Sequence, residues 1–353
     1  MDFRTPKKQS KKSILNLLSG KSNDFVSKFY SKPAIVVALY RSLNSTCREI
    51  INRCLSHNPE KFYEFENEGI PAQLESAKTK LAECHIVSQI EGKFVLNPSF
   101  KATFLQSVGR GMKPFFRIMA TENRLSVEKT VNEDFASFIE IYNFILENEI
   151  RVHKNEPYSS SLNKTFKEIL SKLNFQIRVI NSNQEKNMSG FKFLVEPINK
   201  QVNIIILHYY EYLLQSKAKL LVKGEAEANF EQNLLEVFCA FNFLSPKLTY
   251  GLNAFDSYIG QEIVLRALRD LSSVGLVHFF EKDQTFRVSP LMENYLNHNP
   301  KIFEQFKTNI IVETDFKMYV YSEYEFVEHF LGFLRRFVHE NKVENRDDDY
   351  LFD

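Results

Sequence analysis

Several residue types that restrict function are scarce or lacking in this chain of 353 residues. It has no tryptophan, 11 glycines, 11 prolines and four cysteines. Few glycines and prolines mean few helix breakers, which favours a mostly helical fold. The cysteines form no C-x-x-C pair, so we interpret them as buried structural thiols rather than metal ligands or a disulfide framework. They are Cys47, Cys54, Cys84 and Cys239.

The chain also lacks an excess of either charge, with 45 basic and 44 acidic residues. A protein that grips nucleic acid over many phosphates usually has a basic excess, so we expect weak or no direct nucleic-acid binding. The longest apolar stretch, 202–214, is interrupted by Asn203, His208 and Glu211 and is too short to span a bilayer. A soluble intracellular protein without membrane contact is the expectation. The basic start, 7–12, fits either a nuclear-import patch or an ordinary polar tail.

Catalytic and phosphate-binding motifs are lacking as well. The single Gly-x-Gly, at 109–111, has no third glycine, and no Gly-Lys-Ser/Thr follows a glycine-rich loop. No H-E-x-x-H or G-x-S-x-G motif occurs. The neighbours Cys84 and His85 are better explained as core or surface residues than as a catalytic pair. We therefore predict no enzyme, no catalytic residue, no cofactor and no metal site.

The sequence is rich in apolar residues, which make up 44% of the chain, and it contains 33 Phe. Its predicted helices and strands follow a recurring order. A helix over 75–83 is followed by short apolar runs at 86–90 and 94–96 around a Gly-containing turn, and then by a helix from Phe100. Helix, hairpin, helix is the order of a winged-helix module.

The order returns near the other end of the chain. A helix over 261–272 is followed by Gly275 as its cap, by strands at 276–280 and 286–288, and by a helix predicted from Ser289 through Leu296. A weaker third copy lies between the two. It consists of a helix over 165–173, a strand-like run at 175–180, a polar wing at 181–187, the segment 189–194 and a long helix over 199–214.

A different pattern follows residue 300. Two short strands, 310–313 and 316–321, are predicted to form a hairpin around Thr314-Asp315, leading to a helix that begins after Ser322. Alternation places Phe316, Met318 and Val320 on one face and Lys317, Tyr319 and Tyr321 on the other. One face can pack internally, and the tyrosine-bearing face then suits a partner. The alternative is that both faces are covered internally. The candidate partner-binding residues are Val312, Phe316, Lys317, Tyr319, Tyr321 and Tyr324.

The predicted fold class is therefore mostly α, with tandem winged-helix modules followed by a hairpin-helix unit. The expected divisions are a disordered basic tail (1–13), an N-terminal helical region with the first winged helix (14–153), a second, winged-helix-like module (162–225), a third winged helix (226–300), the hairpin-helix unit (308–340) and an acidic, frayed tail (341–353).

Four segments, in their order along the chain, carry a resemblance to a known family. They are Lys32-Pro33-Ala34 with the helix that follows, Leu96-Asn97-Pro98-Ser99-Phe100, Ser189-Gly190-Phe191-Lys192-Phe193-Leu194, and the run from Ile311 to Glu323. The chain resembles the fifty-two-kilodalton core subunit of the general transcription factor TFIIH from about residue 14 to 337.

The resemblance implies a non-catalytic structural subunit in the nucleus. Such a subunit contacts other TFIIH core subunits and anchors and stimulates the XPB ATPase and translocase, in RNA polymerase II transcription initiation and in nucleotide excision repair. The late hairpin would dock on XPB. The family continues into a further α/β module that binds the smallest TFIIH subunit, whereas this sequence stops at Asp353. A reduced member and an incomplete chain both stay open, and with them the binding of that subunit.

Two other functions remain as alternatives: a DNA-binding winged-helix regulator, and a winged-helix scaffold of another assembly, such as a membrane-sorting or proteasome-lid complex. The helix before the last wing carries Arg266 and Arg269 against Glu262 and Asp270, a mixed charge that favours the scaffold. A continuous basic stripe around Arg110, Lys113 and Arg117 would favour DNA instead.

Overall fold

A computed structural model gives the fold. It describes residues 18, 21–55, 71–90, 93–110, 120–122, 127–145, 161–175, 189–194, 196–216, 230–252, 261–293, 295–297, 309–312, 318–321, 345–346 and 349–352. The fold is mostly helical, as predicted. None of the described helices is long and apolar enough to cross a membrane.

The helices follow the sequence pattern closely. They are α1 (Asn23–Tyr30), α2 (Pro33–Ser42), α3 (Ser45–Leu55), α4 (Pro71–Glu83), α5 (Pro98–Arg110), α6 (Val127–Ile145), α7 (Lys164–Lys172), α8 (Ser189–Leu194), α9 (Ile198–Gln215), α10 (Phe230–Phe241) and α11 (Gln261–Ser272). Polar residues start several of them: Ser22 accepts from the Phe25 amide at 3.3 Å, and Asn163 accepts from the Phe166 amide at 2.9 Å.

The strands in the described part of the chain form three sheets. They are β1 (Val87–Ile90), β2 (Lys93–Leu96), β3 (Ala120–Glu122), β4 (Leu248–Gly251), β5 (Val277–Phe280), β6 (Thr285–Val288), β7 (Asn309–Val312), β8 (Met318–Tyr321), β9 (Asn345–Arg346) and β10 (Asp349–Phe352). The sheet orders are β1-β2, β3-β4-β6-β5 and β7-β8-β10-β9, and every pairing is antiparallel.

Three helices end in the same way. A residue with positive φ follows each of them: His85 (55°), Asn174 (53°) and Gly275 (68°). The next amide then reaches back five residues along the chain. These bonds are Ile86 N to Leu81 O at 3.0 Å, Phe175 N to Leu170 O at 3.1 Å, and Leu276 N to Leu271 O at 3.1 Å. This left-handed cap turns the chain from helix into the following segment at three equivalent places.

Among the described strands, the pairs β1–β2 and β5–β6 also share one register. Val87 pairs with Leu96, as Val277 pairs with Val288. The residue after each hairpin donates its amide to the carbonyl of the residue that precedes the first strand of that hairpin. These bonds are Asn97 N to Ile86 O at 2.9 Å and Ser289 N to Leu276 O at 3.0 Å. The helix–hairpin repeat predicted from the sequence is therefore present at both ends of residues 71–297.

The helix predicted over 289–296 is wrong for the residues described there, which form turns. Ser289 Oγ accepts from the Leu291 amide at 3.0 Å, while Leu296 N donates to Asn242 Oδ1 at 2.8 Å. The Tyr295 hydroxyl donates to the Phe238 carbonyl at 3.0 Å. The Tyr295 hydroxyl and the Leu296 amide thus bond to α10 and to the residue that follows α10. The run of i→i−4 bonds that defines a helix therefore does not form.

The acidic C-terminal tail, expected to fray, contributes strands instead. Residues 349–352 pair with β8, and residues 345–346 pair with 349–350. Backbone pairing to an existing strand satisfies amides and carbonyls irrespective of side-chain charge, which explains why the acidic composition misled the prediction.

One contiguous core joins the elements between Leu18 and Leu296. The sheet β3-β4-β6-β5 draws β3 from the N-terminal region and the other three strands from residues 248–288. The helical modules are therefore packed on each other rather than strung apart.

Candidate partner-binding site

Strand β8 is an interior strand of the sheet β7-β8-β10-β9, which we call the late sheet. It pairs with β7 on one side, where Tyr319 lies opposite Ile311 and Tyr321 opposite Asn309. On the other side it pairs with β10, where Tyr319 lies opposite Leu351. The predicted hairpin is therefore present, and it is half of a four-stranded sheet.

Three of the six predicted partner-binding residues have a place in this sheet. Val312 ends β7 opposite Met318, and Tyr319 and Tyr321 are two positions apart on β8. Phe316, Lys317 and Tyr324 lie outside the described residues, as does the helix predicted after Ser322.

The sequence reasoning missed β10. The run Tyr350-Leu351-Phe352 follows three acidic residues, and an apolar or aromatic triplet of this kind is a weak strand signal that the acidic context concealed. Its pairing has a direct consequence for docking. Both edges of β8 are occupied within the chain, so backbone pairing by a partner is confined to the edge strands, which are β7 and β9 among the described residues.

A buried polar network joins the helices α7, α9 and α11. Asp270 of α11 accepts from the Tyr209 hydroxyl at 2.9 Å and from Asn163 Nδ2 at 3.0 Å. Burial raises the pKa of the Asp270 carboxyl, and these hydrogen bonds, with Arg266, counteract that rise. The network fixes α7, α9 and α11 in one arrangement, since each helix supplies one partner.

The charged side chains of α11 bond within the chain. The guanidinium carbon of Arg266, Cζ, lies 5.6 Å from the centre of the Tyr212 ring. The Nε atom of Arg266 lies 3.8 Å from Oδ2 of Asp270. Arg269 Nε donates to Glu281 Oε1 at 2.8 Å in the turn between β5 and β6. The exposed Arg269 side chain is therefore paired with an exposed carboxylate, and α11 does not present it as an isolated basic group.

The N-terminal region is tied to α10 by an ion pair. Lys32 Nζ lies 3.1 Å from Glu236 Oε2, and Glu236 is buried. Burial raises the pKa of Glu236, while Lys32 lowers it. Arg41 of α2 stacks over Phe243, 4.7 Å from the ring centre. These contacts hold α2 against the helix that precedes β4.

The cysteines lie in the core rather than in a site. Cys47, Cys84 and Cys239 are buried, and burial raises the pKa of Cys54 and Cys84 to about 11. Thiols that stay protonated are poor nucleophiles. Among the described residues, no group of three or more His, Cys, Asp or Glu side chains is placed to hold a metal ion.

The family model for transcription factor Tfb2 matches residues 16–339. The chain belongs to the Tfb2 family. The match runs from before α1 through β8, and it confirms the resemblance to the TFIIH 52 kDa subunit. No curated protein matches the chain.

Membership of the Tfb2 family defines the general role of the protein. Tfb2 proteins are TFIIH subunits that act in transcription and DNA repair and associate with other TFIIH subunits, in the nucleus. The late sheet begins within the matched residues with β7 and β8, and its strands β9 and β10 follow them in the chain.

Proposed function

We propose that this Tfb2-family protein is a non-catalytic scaffold of the TFIIH core that anchors and stimulates the XPB translocase through its late sheet. The observation that carries the proposal is the family match over residues 16–339, which includes β7 and β8. The late sheet follows the last helix–hairpin unit along the chain, so it adds a surface that the helix–hairpin units do not supply.

The repeated geometry supports winged-helix modules as the rigid body. Two helix–hairpin units share a left-handed cap, a strand register and the same closing hydrogen bond. In the second of them, β4 pairs with the return strand β6, placing Tyr250 opposite Phe286. The order helix, strand, helix and hairpin supports the proposal that this unit is a winged-helix module.

The pairing of charges within the chain favours protein partners over DNA. A winged helix that reads DNA presents Arg and Lys on the helix before the wing. Here Arg266 and Arg269 are engaged by Tyr212 and Glu281. In the first unit, Lys78 bonds Glu75 at 3.0 Å on its own helix.

The test is binding of the full chain to purified XPB by titration calorimetry. Changing both Tyr319 and Tyr321 to Ala should weaken binding at least about tenfold, because an anchoring tyrosine at a buried interface contributes about 2 kcal/mol or more. The matched control changes both residues to Phe, which keeps the rings and should retain most of the affinity.

A second variant tests the sheet as a whole. Ending the chain after Asn309 removes most of the sheet and should abolish XPB binding, while the circular dichroism of the helical body is retained. If the shortened chain captured XPB with unchanged affinity, the docking site would lie in the earlier modules. Stimulation of XPB ATP hydrolysis by the full chain, and its loss in the Ala variant, tests the second half of the proposal.

A further inference from the structure

The hairpin β1–β2 carries an exposed apolar face. Ile90 is 54% exposed and Val95 is 40% exposed, and they are two of the most exposed large apolar residues among those described. The register places Ser88 directly opposite Val95. Directly opposed residues lie on the same side of an antiparallel pair, and Ile90, two residues after Ser88, lies on that side too. Lys93 is directly opposite Ile90 and is on this side as well. We name Ser88, Ile90, Lys93 and Val95 the outer hairpin face.

The equivalent face of the second hairpin is covered. In the shared register, His278 takes the place of Ser88 and Arg287 the place of Val95. Arg287 is only 4% exposed, and His278 Nε2 contacts Asp134 Oδ1 of α6. Helix α6 passes so close that a Cβ on Gly275 would stand 2.1 Å from the Asp134 carbonyl oxygen. A helix of the same chain therefore lies on this side of the second hairpin.

We propose that a partner protein supplies the corresponding helix for the outer hairpin face. The occupant is an amphipathic α-helix with an aliphatic stripe. The reason is that the first hairpin has Ser88 and Val95 at the positions where the second hairpin has His278 and Arg287. An acidic residue such as Asp134 would have no cation opposite it at these two positions, since Lys93 is opposite Ile90 instead. Ile90 and Val95 are exposed in the described structure, as expected of a partner site.

The helix cap predicts where this partner helix crosses. Position 85 is histidine, where the second unit has Gly275. A side chain there prevents the close approach that α6 makes at the start of β5, so the partner helix crosses nearer the hairpin tip, over Ile90. This surface lies in β1–β2 and uses no residue of the late sheet.

The inference rests on the scaffold role proposed above, and its test uses the full chain assembled with recombinant TFIIH core subunits. A photo-crosslinking amino acid replaces Ile90 or, separately, Val95, and the crosslinked peptides are sequenced after irradiation. We expect one peptide, from another subunit, whose sequence is an amphipathic helix. A crosslink to a second copy of this chain, to the chain itself or to no protein would overturn the inference while leaving the scaffold role intact. Failure of the wild-type chain to assemble would overturn both.

Affinity provides the quantitative measurement. Changing Ile90 and Val95 together to Asp should weaken binding of the crosslinked subunit at least tenfold, with XPB binding by the late sheet unchanged. The Ile90→Thr and Val95→Thr pair, which keeps β-branched strand residues, should weaken it less. Leu105→Asp, at a residue 50% exposed on α5, controls for the general loss of apolar surface and should have no effect. Equal affinity of the Asp pair and the wild type would overturn the inference.

Discussion

The Tyr209 hydroxyl donates a 2.9 Å hydrogen bond to Oδ2 of Asp270, and both residues are buried between α9 and α11. Asn163 Nδ2 donates to the other carboxylate oxygen at 3.0 Å, and Asn163 Oδ1 also caps α7. A buried carboxylate is tolerated when its oxygens have donors. The contact therefore couples the packing of three helices to the satisfaction of one charge.

Tyr209→Phe should destabilise the protein by about 1.5–3 kcal/mol, the usual range for losing a hydrogen bond to a charged group. Urea denaturation followed by circular dichroism measures the change. The matched control is Tyr212→Phe, since that hydroxyl makes longer contacts, 3.5 Å to Glu168 and 3.3 Å to Arg266. Equal effects of the two substitutions would mean that the bond to Asp270 has no special weight.

Glu236 should make stability fall as the pH rises. Burial raises the pKa of this carboxyl above its ordinary 4.5. At a pH between the unfolded-state pKa and the higher folded-state pKa, the folded protein therefore holds the proton more tightly than the unfolded protein. The stabilising contribution is complete below pH 4.5 and is lost as the pH rises through the higher, folded-state pKa. Glu236→Gln removes this loss, so its free energy of unfolding should improve relative to wild type between pH 4.5 and neutrality.

The measurement for Glu236 is urea denaturation of both proteins across that pH range. Glu49→Gln is the control, because the Glu49 side chain pairs with Arg53 of its own helix at 2.6 Å and is 43% exposed. A difference between Glu236→Gln and wild type that stayed constant with pH would contradict the prediction.

Gly275→Ala should destabilise the protein by at least about 2 kcal/mol, because its φ of 68° is strained for a residue with a side chain and the new Cβ would meet Asp134. His85→Gly, at the equivalent cap of α4, should cause no loss, since glycine adopts a φ of 55° without strain. Thermal unfolding of the two variants side by side gives the contrast. A Gly275→Ala protein as stable as wild type would show that α6 can move away from this turn.

Leu351→Pro should loosen the late sheet. Proline cannot donate to the ladder, and residue 351 pairs with Tyr319 of β8. Hydrogen exchange of the amides of 318–321 should become faster, whereas Leu351→Ala, which keeps the backbone amide, should change it less. Unchanged exchange in the proline variant would mean that β10 does not protect β8.

Much of the local structure was predictable from the sequence. Helix α11 has the predicted bounds, Pro33 opens α2, and Gly275 has the predicted left-handed conformation. These features depend on neighbours along the chain, namely apolar periodicity, the fixed φ of proline and the lack of a Cβ in glycine, so sequence alone determines them. The family match confirmed the resemblance drawn from four short segments.

Other features required the tertiary structure, because they depend on residues far apart in the chain. The turns at 289–296 replace a helix because Asn242 and Phe238 bond them, and β10 forms because β8 offers an unpaired edge. Strand β3 joins a sheet more than a hundred residues later in the sequence. For the same reason, sequence predicted two equivalent hairpins, but only the packing of α6 decides that one outer face is covered while Ile90 and Val95 on the other stay exposed.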